Sequence, residues 1–178
     1  MSATAHADVI EAGDGLRLRA WRDEDLEALV ASANDAAIVR GLSDRFPHPY
    51  TRADGEAFLR GEVVPLEDAF AIEHAGRAVG GIGLRRLLAE RAIGAEFGYW
   101  LDRRLWGAGI MSRAVAAFAP WAMRRHALHR LQAAVLDFNT ASARVLEKNG
   151  FVEEGVMRRA VLKHGQVHDL RLFARYAD

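Results

Sequence analysis

The chain has no cysteine, only two lysines and no long run of apolar residues. Without cysteine it can form no disulfide, thiolate metal site or iron–sulfur cluster, and it has no cysteine nucleophile. Its longest apolar stretch, residues 114–123, is about half as long as a membrane-spanning helix. The first residues lack the basic segment and the apolar core of a signal peptide. The sequence therefore predicts a soluble, cytoplasmic protein with no membrane partner.

An excess of charge of either sign is also lacking, because 24 basic residues balance 24 acidic ones. This balance removes the electrostatic reason to expect a nucleic-acid partner. The length of 178 residues fits one domain. We expect a flexible tail over residues 1–13 and a single domain over residues 14–178.

The hydrophobic patterning predicts an α+β (mixed α/β) domain. Its elements follow the order strand, two helices, three strands, helix, strand, helix, two strands. The predicted strands are residues 16–21, 69–73, 79–84, 92–101, 131–136, 151–156 and 170–176. The predicted helices begin near Asp23, Thr51, Gly107 and Asn139. Pro120 lies inside the third helix, which we expect it to kink or shorten.

The most informative segment is the glycine turn Gly107-Ala108-Gly109, between a strand ending at Leu101 and a long amphipathic helix. Glycines at alternate positions let backbone N–H groups converge on one concavity. A helix that begins there adds unpaired donors and the positive end of its dipole. This combination favours a pyrophosphate, although two glycines before a helix also serve as a plain flexible cap.

Two other phosphate-binding motifs fit this turn poorly. A nucleoside-triphosphate loop needs a lysine after its last glycine, but Ile110 follows Gly109. A dinucleotide fingerprint could use Gly107, Gly109 and the later Asp137. However, its first glycine should directly follow the strand, and too little chain remains after Asp137 for a second nucleotide-binding half.

A second segment, residues 139–151, predicts a helix with clear ends. Asn139 is a typical N-terminal cap, and Gly150 suits a left-handed stop at the C-terminus. Ser142 falls in the first turn of this helix. Local structure alone accounts for these residues, but not for a helix that arrives one strand after the glycine turn.

Taken in order, these segments resemble one family. Arg104-x-x-Gly107-x-Gly109 resembles the acyl-CoA pyrophosphate signature of the GCN5-related N-acetyltransferases (GNAT). Residues 139–151 are similar to the Asn-x-x-Ser-x-x-x-x-Glu-Lys-x-Gly-Phe helix of the ribosomal-protein alanine and serine acetyltransferase branch. Residues 47–51, 96–101 and 106–109 also look like that branch. The resemblance runs in order from about Leu16 to Tyr176, which is nearly the whole domain.

The resemblance implies a mixed, mostly antiparallel sheet flanked by helices and splayed between its fourth and fifth strands. The pantetheine arm of an acyl-CoA co-substrate would lie in that gap, and no metal is implied. Asn139 would bond the pantetheine amides, Ser142 would lie near the thioester sulfur, and Arg104 would assist the turn in holding pyrophosphate. The residues implied to bind acyl-CoA are Trp100, Leu101, Asp102, Arg104, Leu105, Gly107, Ala108, Gly109, Ile110, Asn139 and Ser142.

The implied reaction needs a neutral amine and a group that stabilises the leaving sulfur. An α-amine is roughly one-tenth neutral at pH 7, so a base or a water chain to one is required. Glu96, on the strand before the glycine turn, is our candidate base, although it could also lie on a solvated strand face. Ser142 is our candidate donor to the sulfur, and a backbone N–H at the splay would polarise the thioester oxygen.

The acceptor side is less distinct in the sequence. Candidate wall residues are His48, Tyr50 and Tyr99, together with Trp106 and residues 157–168. Tyr50 and Trp106 also suit core packing, which we expect more strongly for Trp106. The seven histidines show no metal-binding spacing, so no metal is expected.

These inferences combine into an acyl-CoA-dependent N-acyltransferase in which an amine attacks the thioester directly. The predicted acceptor is a protein N-terminal α-amine. Alternatives are an antibiotic, polyamine or amino-acid acceptor, a succinyl-CoA donor, and a non-catalytic acyl-CoA sensor. A homodimer is compatible with the sequence, although no particular residue argues for one.

Overall fold

The structure, a computed structural model, describes residues 8–177. Within that range the strands are β1 (Ile10–Glu11), β2 (Leu16–Ala20), β3 (Ala69–His74), β4 (Arg77–Arg86), β5 (Gly94–Leu101), β6 (Arg130–Leu136), β7 (Val152–Lys163) and β8 (Gln166–Tyr176). The α-helices are α1 (Leu26–Ala33), α2 (Ala36–Arg40), α3 (Arg52–Leu59), α4 (Ile110–Arg125) and α5 (Thr140–Lys148). Short 3-10 turns cover Asp23–Asp25, Leu66–Asp68, Ala89–Arg91 and Arg103–Leu105. None of the helices in this range is long and apolar enough to cross a membrane.

The strands form one sheet in the order β1-β2-β3-β4-β5-β6-β8-β7. Neighbouring strands are antiparallel except β5 and β6, whose parallel pairing covers only Gly94–Glu96 against Arg130–Gln132. Beyond Glu96 the two strands diverge, so residues 97–101 have no partner on β6. This confirms the prediction of a mixed, mostly antiparallel sheet with a splay between the fourth and fifth predicted strands. Those two strands are numbered β5 and β6 here because β1 precedes them.

Hydrophobic side chains pack in two clusters, one on each face of the sheet. On one face, Phe97 of β5 stacks on Phe118 of α4 with ring centroids 6.1 Å apart. On the other, Trp100 of β5 stacks on Trp21 with centroids 6.5 Å apart, next to α1 and α3. Because side chains alternate along a strand, odd-numbered residues of β5 face α4 and α5, and even-numbered residues face α1 and α3.

Several predicted local features are present. Thr51 and Asp54 form a reciprocal capping box at the start of α3, since each side chain accepts the other residue's backbone N–H. Gly150, with a φ of 76°, follows the end of α5 in the left-handed region. The predicted hairpin of β3 and β4 turns at Ala75 and Gly76.

Other elements differ from the prediction. Ile10 pairs with Leu18, so the tail expected over residues 1–13 contains a strand; residues 1–7 of that tail lie outside the described residues. Helix α4 continues through Pro120 to Arg125, so the proline does not shorten it. Pro120 cannot donate to the carbonyl of Ala116, but Ala116 is exposed, so water can take that bond.

The last hairpin extends further than predicted, with β7 reaching Lys163 and β8 beginning at Gln166. The pairing of β7 with β8 shifts register twice along β7. Such shifts interrupt the alternation of inward and outward side chains on which strand prediction depends. The short helix α2 was also absent from the predicted order.

Candidate active site

The turn between β5 and α4 holds its two glycines in a conformation that other residues adopt only with strain. Gly107 has a φ of 79° and Gly109 a φ of 73°. A Cβ at either position would meet no atom within 4 Å, so backbone conformation and not space requires glycine. Gly109 is also the N-cap of α4, which has no side-chain cap and no acidic residue in its first turn.

The N–H groups of this turn are free. From Gly107 to Ser112, none has an acceptor within the described part of the chain. The N–H groups of Leu105 and Trp106 are engaged, however, because they donate to the carbonyls of Asp102 (3.0 Å) and Arg103 (3.2 Å). Leu105, which the resemblance implies as an acyl-CoA contact, therefore has no free N–H to offer. The remaining donors, together with the positive end of the α4 dipole, give the turn at Gly107, Ala108, Gly109 and Ile110 the features that favour an anion.

The edge of β5 that faces the splay offers further free peptide groups. The N–H of Asp102 donates to the carbonyl of Val79 at 2.7 Å, so these two residues occupy a hydrogen-bonded pair position. Such positions alternate in an antiparallel ladder, which directs the peptide groups of Trp100 towards β4 and those of Tyr99 and Leu101 towards the gap.

Of Trp100, Leu101 and Asp102, which the resemblance implies as acyl-CoA contacts, only Leu101 directs its N–H towards the gap. The peptide groups of Trp100 and the N–H of Asp102 are used by β4, so Tyr99 and the Leu101 N–H present the free edge instead. A Cβ at Gly80 would collide with the Trp100 carbonyl oxygen, which agrees with that orientation. The Leu101 carbonyl already accepts a hydrogen bond from Nε1 of Trp106 at 2.9 Å.

Asp102 anchors the turn through its side chain. It is 5% exposed and accepts hydrogen bonds from the Ser32 hydroxyl (3.0 Å) and from the backbone N–H of Arg104 (2.9 Å). The Arg104 guanidinium also binds it, with Nη2 2.5 Å from Oδ2, and chiefly for this reason the pKa of Asp102 is lowered. Arg104, expected to assist in holding phosphate, is therefore bound to Asp102 and braces the turn.

Helix α5 brings Ser142 to β5. The side-chain oxygen of Asn139 accepts the backbone N–H of Ser142 at 3.2 Å, which caps the helix. Tyr99 Oη lies 2.8 Å from Ser142 Oγ and 3.2 Å from the Ser142 carbonyl oxygen, to which it can donate. Burial raises the pKa of Tyr99 to about 12, although its bond to Ser142 acts in the opposite direction. Tyr99 is thus a neutral phenol in contact with Ser142, and its place in the acceptor wall stays a prediction.

Glu96 occupies the apex of the splay. It is the last residue of β5 paired with β6, and its carboxylate accepts a hydrogen bond from Nε2 of Gln132 at 3.2 Å. An oxygen of Glu96 also lies 3.7 Å from a guanidinium nitrogen of Arg85. On the same face of β5, Gly98 is exposed, and a Cβ there would meet no atom within 4 Å. The space beside Glu96 is therefore open, on the face of β5 opposite to Tyr99.

The other acceptor candidates lie in different environments. His48 is exposed on the loop between α2 and α3. Tyr50 is 5% exposed and packs with Leu29 and Ala33, and this burial raises its pKa to about 12. Tyr50 therefore belongs to the core. Trp106, for which core packing was expected, is 51% exposed. Among the described residues, no group of three or more His, Asp or Glu side chains is placed to hold a metal ion.

Sequence patterning did not find the contact between Tyr99 and Ser142 or the open space at Gly98. The alternation of residues 96–101 does indicate which face each side chain occupies. It puts Tyr99 on the same face as Phe97, and it puts Gly98 on the same face as Glu96. The alternation does not give the position of α5, because that position depends on how the whole sheet assembles.

Comparison with known proteins identifies relatives of the whole chain. The family profile described as acetyltransferase (GNAT) domain matches residues 15–152. A probable N-acetyltransferase of Bacillus subtilis (strain 168), YjcK, is 37% identical over 168 residues, which cover 94% of this chain and 89% of that protein. The ribosomal-protein-serine acetyltransferase of Escherichia coli (strain K12) is 34% identical over 84 residues, 47% of each chain. A solved structure of RimL, a ribosomal L7/L12 alpha-N-protein acetyltransferase in complex with coenzyme A, is 25% identical with a TM-score of 0.83, covering 95% of this chain and 98% of that one.

Proposed function

The chain belongs to the GNAT acetyltransferase family, and from this premise we propose that it moves an acyl group from acyl-CoA to a protein N-terminal α-amine. The observation that carries the proposal is the row of free N–H donors from Gly107 to Ser112, next to the splay between β5 and β6. A diphosphate at that turn directs the thioester arm along the free edge of β5. No other part of the described site combines an anion cradle with an unpaired strand edge.

Groups of this chain can interact with both the carbonyl oxygen and the sulfur of the thioester. The amine nitrogen attacks the carbonyl carbon, the carbon–sulfur bond breaks, and the electron pair leaves on sulfur as the CoA thiolate. A free N–H on the β5 edge, at Tyr99 or Leu101, polarises the carbonyl oxygen. Ser142 donates a hydrogen bond to the departing sulfur without transferring its proton, because a serine hydroxyl is a far weaker acid than a thiol of pKa roughly 8.5 and cannot protonate the thiolate.

Tyr99 has a positioning role in this mechanism. If Tyr99 Oη–H donates to Ser142 Oγ, the hydrogen of the Ser142 hydroxyl is free for the sulfur. The phenol remains protonated because its pKa is about 12, so it can donate throughout the neutral range. The phenol of Tyr99 therefore acts through Ser142 and need not touch either substrate.

Glu96 is the proposed base. The attacking amine must lose a proton, and roughly nine-tenths of an ordinary α-amine is protonated at pH 7. Glu96 lies at the apex of the splay beside the open space at Gly98, where an amine can approach the thioester from the face opposite to Ser142. Proton acceptance and sulfur stabilisation then occur on different sides of β5.

The proposed acceptor follows from the relatives, since the E. coli protein and RimL are both named for acetylation of ribosomal proteins. The transferred group is proposed to be acetyl. A cytoplasmic location stays a prediction of the sequence.

Thiol release from acetyl-CoA tests the proposal. We expect turnover with short peptides that have a free N-terminus and none with the same peptides blocked at the N-terminus. Ser142→Ala should lower kcat roughly 10- to 100-fold and leave acetyl-CoA affinity unchanged, because alanine keeps the backbone N–H that the Asn139 cap of α5 accepts. Thr140→Ala, which removes a hydroxyl two residues earlier on the same helix, is the matched control and should retain activity.

Each alternative has its own result in this assay. Turnover of polyamines or aminoglycosides but of no peptide would overturn the acceptor assignment. Tight binding of acetyl-CoA without turnover of any amine would instead identify an acyl-CoA sensor. Release of CoA from succinyl-CoA but not from acetyl-CoA would change the donor.

A further inference from the structure

A cavity of about 340 Å³ lies between α2, the end of β6 and the β7–β8 turn, and its ionisable lining is entirely basic or neutral. It contains Arg40, Lys163, His164 and His168, with Phe138 as its aromatic wall. No aspartate or glutamate is among its lining residues. A cavity with this lining attracts an anion.

Arg40 stacks on an aromatic ring. The guanidinium carbon lies 4.7 Å from the ring centroid of Phe138, and no carboxylate of residues 8–177 pairs with it. Stacking on an aromatic ring fixes the plane of a guanidinium and leaves its edge donors free. His168 packs against the same ring, at 4.9 Å between centroids, and its Nδ1 lies 3.1 Å from Asp137.

Lys163 is buried and, among the described residues, has a single polar partner. Its side chain is 3% exposed, and its ammonium nitrogen lies 2.6 Å from a carboxylate oxygen of Asp44, which is 60% exposed. An ammonium group has three donors, and Asp44 takes one of them. Burying a charged group whose hydrogen-bond donors are unused costs free energy. We therefore expect a further hydrogen-bond acceptor in the cavity that Lys163 lines.

The cavity adjoins the proposed reaction centre. Phe138 directly precedes Asn139, which caps α5, and Ser142 lies only about 4.5 Å further along the helix axis. On the other wall, Gly41 follows Arg40, and a Cβ at Gly41 would lie 2.9 Å from Nδ2 of Asn139. Asn139 therefore separates the basic cavity from the site where Ser142 meets the thioester.

Building on the proposed function, we propose that this cavity binds a carboxylate of the acceptor, so that the enzyme prefers N-terminal segments with an acidic side chain near the amine. An extended peptide advances about 3.3 Å per residue, so the second to fourth residues can reach the cavity. Arg40 and Lys163 provide the charge, and Phe138 holds the guanidinium in place. Acyl-CoA binds without this cavity.

Calorimetric titration of the enzyme–CoA complex tests the proposal. The probes are two short peptides that differ only by Glu or Gln at the third residue. We expect the Glu peptide to bind about tenfold more tightly, as for a charge-assisted hydrogen bond. Arg40→Gln should reduce this ratio to near one, and Lys163→Gln should reduce it as well. Arg124→Gln, at the exposed far end of α4, is the matched control and should preserve the preference.

The titration separates this inference from the proposed function, because it reads affinity whether or not the peptide is turned over. Equal affinity of the wild-type complex for both peptides overturns the carboxylate site but not the acyltransferase. Loss of acetyl-CoA affinity in Arg40→Gln also overturns it, since the cavity would then hold a phosphate of the coenzyme. A thermal-unfolding measurement on each variant checks that Arg40→Gln and Lys163→Gln are folded.

Discussion

The hydroxyl groups of Tyr99 and Ser142 lie 2.8 Å apart, although 43 residues separate them in the chain. One is on the free stretch of β5 and the other on the first turn of α5. Their contact joins the two sides of the gap in which we place the thioester. It is also the most direct target for experiment.

Tyr99→Phe should lower kcat by roughly 3- to 30-fold and leave KM for acetyl-CoA unchanged, because it removes the hydrogen bond that orients the Ser142 hydroxyl. Steady-state kinetics with a peptide acceptor measure both constants. In a Ser142→Ala background the same change should have almost no further effect, since the group that Tyr99 orients is then gone. Fully additive losses would show that Tyr99 does not act through Ser142.

Glu96→Gln should lower kcat about 100-fold for an α-amine acceptor, because glutamine keeps the shape of the side chain but cannot accept the amine's proton. Acetyl-CoA affinity should not change. The loss should shrink at high pH, where more of the amine is neutral before it binds. Glu90→Gln, on the exposed 3-10 turn before β5, provides the control. An unchanged rate in Glu96→Gln would transfer the role of base to a water chain.

Gly107→Ala should weaken acetyl-CoA binding about tenfold and reduce stability by about 1 kcal/mol, because alanine at a φ of 79° strains the turn that presents the N–H donors. Gly76→Ala is a strict control. Its φ is 76°, its Cβ would also meet nothing within 4 Å, and it lies in the distant β3–β4 turn. It should lose similar stability and keep full coenzyme affinity. Equal weakening in both variants would contradict a specific role for the turn.

The free energy of unfolding should fall as the pH rises from about 10 towards 12. The pKa of Tyr99 rises from 10.0 to about 12 on folding, so the unfolded chain releases the proton first and gains stability relative to the folded chain. One such group contributes up to about 1.4 kcal/mol per pH unit in this window, and nothing below it. Urea unfolding of the wild type and of Tyr99→Phe should show a shallower decline in the variant. Identical slopes would mean that the phenol titrates normally.

Local chemistry explains which parts of the site were predictable from the sequence. The left-handed glycines at 107 and 109, the Asn139 cap and the stop at Gly150 each depend on a few neighbouring residues. The resemblance to a family then placed the splay correctly. The engagement of the Leu105 N–H could not be predicted, because a 3-10 turn after Asp102 uses it and glycine spacing carries no information on that turn.

Long-range packing determines the rest. The partner of Tyr99 comes from α5, and the partners of Asp102 come from α1, β4 and the turn itself. Tyr50 is buried because α1 covers it, and Trp106 is exposed because its indole N–H is satisfied by Leu101 at the rim of the turn. Periodicity reports which face a residue occupies but not which element lies against that face.

Residues 96–101 send alternate side chains to opposite faces of the sheet, and this division has an evolutionary consequence. If the acceptor approaches beside Gly98, as we propose, substitutions on that face of β5 can alter its recognition while the contacts of Tyr99 remain intact. Recognition of the acceptor can then change during evolution without altering the contacts on the acyl-CoA side of the strand. A single scaffold can in this way be adapted to many amines by changing one surface of one strand.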